Sequence, residues 1–104
     1  MGSYRSKLDI IADILLVVRK DAKKTRIMYQ ANLSYRLLTK YLHEVRKASL
    51  VRFVKDRDCY NLTSKGEQFL KSYKAYRRHN KRIEQHLNNI DSKRRELEEL
   101  CSYG

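Results

Sequence analysis

Basic and hydroxyl side chains between residues 34 and 47 recur with the spacing of a single helix face. At about 100° per residue, an apolar face forms around Leu38, and a stripe of hydrogen-bond donors lies on the far side. The stripe consists of Arg36, Thr39, Lys40, His43 and Lys47. A helix in the major groove of DNA needs donors on its outer face and in its N-terminal half. The first two positions therefore suit base edges, and the other three suit phosphates as well.

Two further basic groups flank this segment in the sequence. One opens a short predicted helix, whose N-terminal N–H groups and dipole favour a bound phosphate. The other surrounds a predicted turn between two strands, where basic side chains can reach the DNA backbone or the minor groove. Asp56 and Asp58 argue against deep insertion of that turn, because each would be repelled by phosphate. Together with the two residues that begin the donor-bearing helix, these candidate contacts are Lys24, Thr25, Arg26, Ser34, Tyr35, Arg52, Lys55 and Arg57.

The charge of the whole chain points to the same class of partner. The 104 residues include 24 Lys and Arg against 12 Asp and Glu, a formal net charge of +12. A surplus of this size favours a polyanion, with nucleic acid ahead of an anionic membrane surface. The longest apolar stretch, 10–18, contains Asp13 and is too short to cross a bilayer. No signal-peptide pattern is present and two cysteines cannot form a disulfide framework, so we expect a cytoplasmic protein associated with the nucleoid.

No group of residues has the spacing of a catalytic or metal site. The sequence contains no phosphate-binding loop, no glycine-rich dinucleotide turn, no HExxH and no C-x-x-C. The three histidines are far from Cys59 and Cys101 in sequence, which disfavours zinc. Nothing gathers a nucleophile, a base and an orienting group. We therefore expect no enzymatic activity, no metal and no cofactor.

Hydrophobic periodicity and helix caps predict the elements that position these residues. Ser6 with Asp9 resembles a capping box, and Ser34 and Thr63 are predicted N-caps. Three helices, two strands and a long final helix follow at 6–20, 26–31, 34–48, 50–55, 59–62 and 64–101. Three helices followed by a two-stranded wing define a winged helix-turn-helix. The predicted fold class is therefore mainly α with a small β-hairpin wing.

Two local motifs agree with that order. The pattern Tyr60-x-Leu62-Thr63-x-Lys65-Gly66-x-x-x-Leu70 resembles the wing-to-helix junction of many winged-helix repressors. The segment Lys24-Thr25-Arg26-Ile27-Met28-Tyr29-x-Ala31-Asn32-Leu33-Ser34-Tyr35, with Tyr41-Leu42 after it, resembles the 10a-type archaeal chromatin proteins, which are small basic winged-helix DNA-binding proteins first known from Sulfolobus. The resemblance covers roughly residues 6–100. It implies a winged-helix head, a long C-terminal helix and a dimer formed by an antiparallel two-stranded coiled coil.

The final predicted helix carries a stripe in alternating steps of four and three residues, as in a coiled coil. We call this stripe the seam: Phe69, Tyr73, Tyr76, Asn80, Ile83, Leu87, Ile90, Arg94, Leu97 and Cys101. Neither Pro nor Gly interrupts the helix between Gly66 and Gly104, which favours a coiled-coil dimer over a helix folded back on the head. We therefore divide the chain into a winged helix-turn-helix DNA-binding domain, 1–66, and a coiled-coil dimerisation helix, 67–104.

Both orientations of the coil remain open from the residues alone. A parallel dimer would form compatible edge pairs such as His79 with Glu84. An antiparallel dimer would set the segment 67–82, with six basic residues and one acidic (+5), beside the partner's segment 83–104, with three and five (−2). Charge, together with the resemblance, favours the antiparallel arrangement.

Two functions from different classes fit these features. One is a dimeric double-stranded DNA-binding protein that organises the nucleoid or regulates transcription. The other is a protein-interaction module whose winged head has lost DNA contact. The donor stripe on the third helix favours DNA, because an interaction module would more often carry apolar residues there, and the depth of the A-form major groove disfavours RNA. An antiparallel rod of about 48 Å, from about 32 residues at about 1.5 Å each, would hold the two recognition helices more than one DNA turn apart.

Overall fold

The computed structural model of the protein describes residues 5–102 and contains three short helices, a two-stranded hairpin and one long helix. In chain order the elements are α1 (Lys7–Val18), α2 (Lys24–Gln30), α3 (Tyr35–Lys47), β1 (Val51–Val54), a 3-10 turn (Lys55–Arg57), β2 (Cys59–Leu62) and α4 (Ser64–Leu100). This order confirms the predicted fold class, a winged helix-turn-helix followed by a long C-terminal helix. The chain divides into two compact units, the first ending at Tyr73 and the second beginning at Lys74.

The first helix begins at the predicted capping box. The Ser6 hydroxyl accepts a hydrogen bond from the Asp9 N–H at 3.2 Å, and the Asp9 carboxylate accepts one from the Ser6 N–H at 2.9 Å. Ile14, Leu15 and Val18 are completely buried and form the centre of the core. The helix ends at Val18 rather than at residue 20, because the apolar repeat stops there and the chain turns toward α2.

The turn between α2 and α3 sets the direction of the donor-bearing helix. Asn32 occupies the left-handed region at φ 52°, a conformation that Asn tolerates better than most residues. The Ser34 hydroxyl accepts a hydrogen bond from the Leu37 N–H at 3.2 Å, which confirms the predicted N-cap of α3. From the residue two positions before α1, the Arg5 guanidinium donates to the Ala31 and Asn32 carbonyls at 2.7 and 2.8 Å. The turn is therefore held by the Ser34 cap on the α3 side and by Arg5 on the α2 side.

The start of α2 differs from the prediction. The helix begins at Lys24 rather than at residue 26, and its N-cap, Lys23, forms no side-chain capping hydrogen bond. The sequence therefore offered no cap to mark the start. Ile27 is fully buried, as the apolar pattern predicted.

The wing pairs β1 and β2 in an antiparallel register that sets Val51 opposite Leu62 and Val54 opposite Cys59. Strand β1 is shorter than the predicted strand 50–55, because Lys55 already belongs to the 3-10 turn. A bridge between Ala22 and Tyr60, with N–H···O distances of 2.9 and 2.8 Å, attaches the loop before α2 to β2. The sequence analysis did not predict this bridge, whose partners are far apart in the chain.

The beginning of α4 is packed tightly into the first unit. The Thr63 hydroxyl accepts a hydrogen bond from the Gly66 N–H at 3.0 Å, which confirms Thr63 as the N-cap. A Cβ atom at Gly66 would lie 2.3 Å from the Leu50 carbonyl oxygen and 2.4 Å from Leu62 Cδ1. Only glycine fits this approach without displacing the backbone. The helix then continues unbroken to Leu100.

Candidate nucleic-acid interface

The outward face of α3 presents the predicted donor stripe to solvent. Arg36, Thr39, Lys40, His43 and Lys47 are all exposed. The opposite face is buried, with Leu38 and Val45 each 1% exposed. The helix therefore separates an apolar face, which fixes its position, from a polar face that is free to meet a ligand.

The acidic residue of α3 lies beside the stripe and is neutralised locally. Glu44 pairs with Lys7 of α1 at 2.9 Å. The hydrogen bond from the Lys7 ammonium lowers the pKa of Glu44, and the same contact raises the pKa of Lys7. Glu44 therefore stays ionised and paired at neutral pH, and its charge opposes a phosphate on the neighbouring stripe less than an unpaired carboxylate would.

Two stripe residues make local contacts that define how they could act. The Thr39 hydroxyl donates to the Tyr35 carbonyl at 2.9 Å, so its proton is engaged and its oxygen remains available as an acceptor. The Lys40 ammonium lies 5.3 Å from the centroid of the Tyr41 ring. Arg46, beside the stripe, lies 5.3 Å from the Phe53 ring centroid and ties the C-terminal half of α3 to the wing.

The structure brings the start of α2 next to the start of α3. The Lys24 ammonium lies 5.7 Å from the centroid of the exposed Tyr35 ring. Thr25 and Arg26 are also exposed at the first turn of α2. Ser34 lies at the N-terminus of α3, where its hydroxyl is already used as the cap. The contact between Lys24 and Tyr35 therefore joins the exposed start of α2 to the start of α3.

The turn of the wing meets the start of α2 at an open hollow of 590 Å³. Thr25, Arg26 and Arg57 all line it, so the structure unites two basic groups that the sequence could only treat separately. Arg57 is held there by an ion pair with Asp21 at 3.3 Å. Sequence reasoning did not assign a role to Asp21, because no local pattern relates it to a wing residue so far along the chain.

The other two basic wing residues that the sequence singles out, Arg52 and Lys55, are exposed and do not line the hollow. Arg52 lies on β1 opposite Asn61, and Lys55 begins the 3-10 turn. The turn ends at Asp58, which adopts a left-handed conformation with φ 49° and ψ 47°. Both basic side chains face solvent, whereas Asp56 and Asp58 stay at the exposed tip of the wing.

The seam residues fall into both compact units. In the first unit, Phe69 and Tyr73 are half-buried against the core, their rings nearly parallel with centroids 6.2 Å apart, and the Tyr73 hydroxyl donates to the Asp9 carboxylate. In the second unit, seam side chains are exposed, with Ile83 at 57%, Leu87 at 58% and Leu97 at 61%. The other seam residues there are Tyr76, Asn80, Ile90, Arg94 and Cys101, and all of them are exposed.

The second unit also shows how one polar residue is accommodated on the seam. Arg94 pairs with Asp91 at 2.6 Å and approaches Glu98 at 4.0 Å. Its neighbours Ile90 and Leu97 line an apolar hollow of 410 Å³ on the same helix. Arg94 itself lines this hollow, while its guanidinium is paired with a carboxylate of the same helix.

Two further classes of site find no support within residues 5–102. No group of three or more His, Cys, Asp and Glu side chains is placed to hold a metal ion there. Across the same residues, no helix combines the length and the apolar character needed to span a membrane.

Known proteins match this chain along most of its length. The winged helix-turn-helix family model matches residues 4–81. An uncharacterised protein from Methanocaldococcus jannaschii is 40% identical over 67 residues, which are 64% of this chain and 31% of that protein. This chain therefore spans less than a third of that relative's length.

Two solved structures share the fold. Sso10a-2, a DNA-binding protein from Sulfolobus solfataricus, is 24% identical, with 96% of this chain and 100% of that chain covered and a TM-score of 0.60. ZitR from Lactococcus lactis, solved in complex with DNA, is 16% identical, with 96% and 75% covered and a TM-score of 0.55. The first likeness confirms, at the level of the fold, the resemblance to the 10a-type archaeal proteins.

Proposed function

The chain belongs to the winged helix-turn-helix family, and we propose that it is a double-stranded DNA-binding protein that acts as a homodimer. It is a binding protein rather than an enzyme. DNA contact comes from the first unit, through α3, the start of α2 and the wing. Dimerisation comes from the seam of α4.

The outward face of α3 carries this proposal. It presents two lysines, one arginine and one histidine, with no carboxylate among them. The nearby Glu44 is paired with Lys7 at 2.9 Å. Such a surface suits the major groove, where phosphates flank the base edges. Sso10a-2 is described as a DNA-binding protein and ZitR was solved with DNA, which supports the same use of this fold.

Separate roles follow from the positions of the residues. Arg36, in the N-terminal half of α3, is placed to read a base edge, and Thr39 can accept a hydrogen bond or offer its methyl group to thymine. Lys40, His43 and Lys47 bind phosphates farther along the groove. The remaining contacts position the protein on the backbone: Lys24, Thr25, Arg26, Ser34, Tyr35, Arg52, Lys55 and Arg57.

The exposed seam supports the homodimer. More than half of the surface of Ile83, Leu87 and Ile90 is open to water in the single chain, at 57%, 58% and 53%. An antiparallel coil would bring Ile83 of one chain onto Leu87 of the other at its centre. Asn80 would meet Ile90, and the charge difference between 67–82 and 83–104 favours this direction.

This dimer suits a protein that organises DNA in the nucleoid or regulates transcription. The N-terminal ends of two antiparallel seams would lie about 48 Å apart, since about 32 residues rise about 1.5 Å each. Recognition helices of an ordinary dimer are about 34 Å apart. The dimer would therefore contact grooves about two turns apart, bend the DNA or hold two duplexes together.

Salt-dependent binding to duplex DNA tests this function. In an anisotropy titration, log K should fall steeply and linearly with log salt, because several phosphates are contacted. Arg36→Ala should cost about 1–3 kcal/mol, roughly 5- to 150-fold in affinity, with relaxed sequence preference. Arg95→Ala, which removes the same charge from an exposed residue paired with Asp91, is the control and should change affinity little. A flat salt dependence would refute DNA binding and leave the protein-interaction module.

A further inference from the structure

The basic residues of the second unit differ in how their charges are balanced. Near its C-terminal end, Lys93, Arg94 and Arg95 each pair with a carboxylate on the same helix, at distances from 2.6 to 4.0 Å. Earlier in the same unit, a second set is exposed and takes part in no ion pair with any residue between 5 and 102: Lys74, Arg78, Lys81 and Arg82. The helix thus neutralises one group of cations and leaves the other uncompensated.

The uncompensated cations lie on the face opposite the seam. At about 100° per residue, Lys74 points about 180° away from Ile83, and Arg78 and Lys81 lie within about 40° of Lys74. Arg82 lies at one edge of this face and Glu84 at the other. In either orientation of a coiled coil this face points outward, so a partner helix would not cover it.

The same face continues with uncharged hydrogen-bonding side chains. Within about 60° of the direction of Lys74, the following positions carry only amides and a hydroxyl. They are Gln85, Asn88, Asn89 and Ser92, all exposed. No carboxylate lies in this sector from Lys74 to Ser92, a length of about 27 Å, and Glu96 is the first to interrupt it. We name this surface, from 74 to 92, the outer face of α4.

We propose that the outer face of α4 is a second binding surface for the phosphodiester backbone of duplex DNA, used together with the winged-helix contacts. Side-chain ammonium and guanidinium groups bind phosphates without reading sequence, and amide and hydroxyl donors extend such a surface without repelling it. The inference rests on the proposed DNA-binding function. It assigns to α4 a role in binding besides dimerisation.

A pair of matched double variants tests the inference in the full-length protein. Lys74→Gln with Lys81→Gln removes two uncompensated charges, whereas Lys93→Gln with Arg95→Gln removes two charges that are already paired. Binding to a duplex of random sequence is measured by fluorescence anisotropy over a range of salt concentrations. The first variant should flatten the slope of log K against log salt by about 1.8, at about 0.9 for each phosphate contact. Each lysine is taken to contribute nothing to the affinity at 1 M salt. A slope of about 0.9 per lysine over the tenfold change in salt then lowers the affinity at 0.1 M about 8-fold for each lysine removed.

The outcomes separate this inference from the function on which it rests. The control double variant should keep the wild-type slope, and both variants should sediment as the wild type does, since neither changes the seam. If the wild type binds DNA but the Lys74 and Lys81 variant keeps the wild-type slope and affinity, the outer face is not a DNA surface and the inference is wrong. An equal loss in both double variants would show a general charge effect and would also overturn it. If the wild type fails to bind, the proposed function itself fails.

Discussion

A glutamate in place of Leu87 should dissociate the proposed dimer without unfolding the first unit. Leu87 is 58% exposed in the single chain and lies at the centre of the seam. Complete burial of a leucine side chain contributes about 1.5–3 kcal/mol, so the part still open contributes about 0.9–1.7 kcal/mol per chain. Two chains together lose about 1.7–3.5 kcal/mol, before any cost of placing two carboxylates in an apolar seam.

That loss corresponds to a dissociation constant raised roughly 16- to 300-fold, at about 1.4 kcal/mol per tenfold change. Sedimentation velocity over a concentration series measures it directly. The control is Asn88→Glu, which introduces the same charge one residue later on the outer face of α4 and should leave the dimer intact. The monomer made by Leu87→Glu should keep a folded first unit, bind DNA more weakly and fail to join two duplexes. If Leu87→Glu sediments as the wild type does, or if both glutamates dissociate the protein equally, the seam is not the dimer interface.

Two further outcomes are expected. Gly66→Ala should lower the free energy of unfolding of the first unit by about 1–3 kcal/mol in urea titrations, because its Cβ would lie 2.3 Å from the Leu50 carbonyl oxygen. The control variant Ser64→Ala should have little effect. A Gly66→Ala variant as stable as the wild type would contradict this close approach. In an antiparallel dimer the two Cys101 thiols lie about 48 Å apart, so mild oxidation should yield no dimer band on a non-reducing gel. A dimer band that disappears in Cys101→Ser but not in Cys59→Ser would indicate a parallel coil.

Features determined by neighbouring residues were predictable from the sequence. The capping box at Ser6 and the caps at Ser34 and Thr63 involve partners three residues away, and each forms as expected. The outward face of α3 follows from helical spacing alone. The engagement of the Thr39 hydroxyl by a carbonyl one turn earlier was not predicted, although it too is local.

Features that depend on distant partners were not predictable in the same way. The bridge between Ala22 and Tyr60 and the ion pair between Asp21 and Arg57 both join the loop before α2 to the wing. Hydrophobic periodicity contains no information about such pairs. The heptad pattern likewise could not reveal that Phe69 packs on the core of the first unit while Ile83 stays exposed, because both residues fit the same repeat.

The position of Arg5 has a consequence for the orientation of α3. Its guanidinium joins the Asp13 carboxylate of α1, at 2.9 Å, to the two carbonyls that lead into α3. Arginine can hold three acceptors because its planar fork offers five donors in a fixed geometry, which a lysine ammonium cannot reproduce. The orientation of α3 is therefore held in part by a residue outside all three helices. If α3 enters a DNA groove as proposed, a change that frees this guanidinium would weaken DNA binding without altering any of the proposed contact residues.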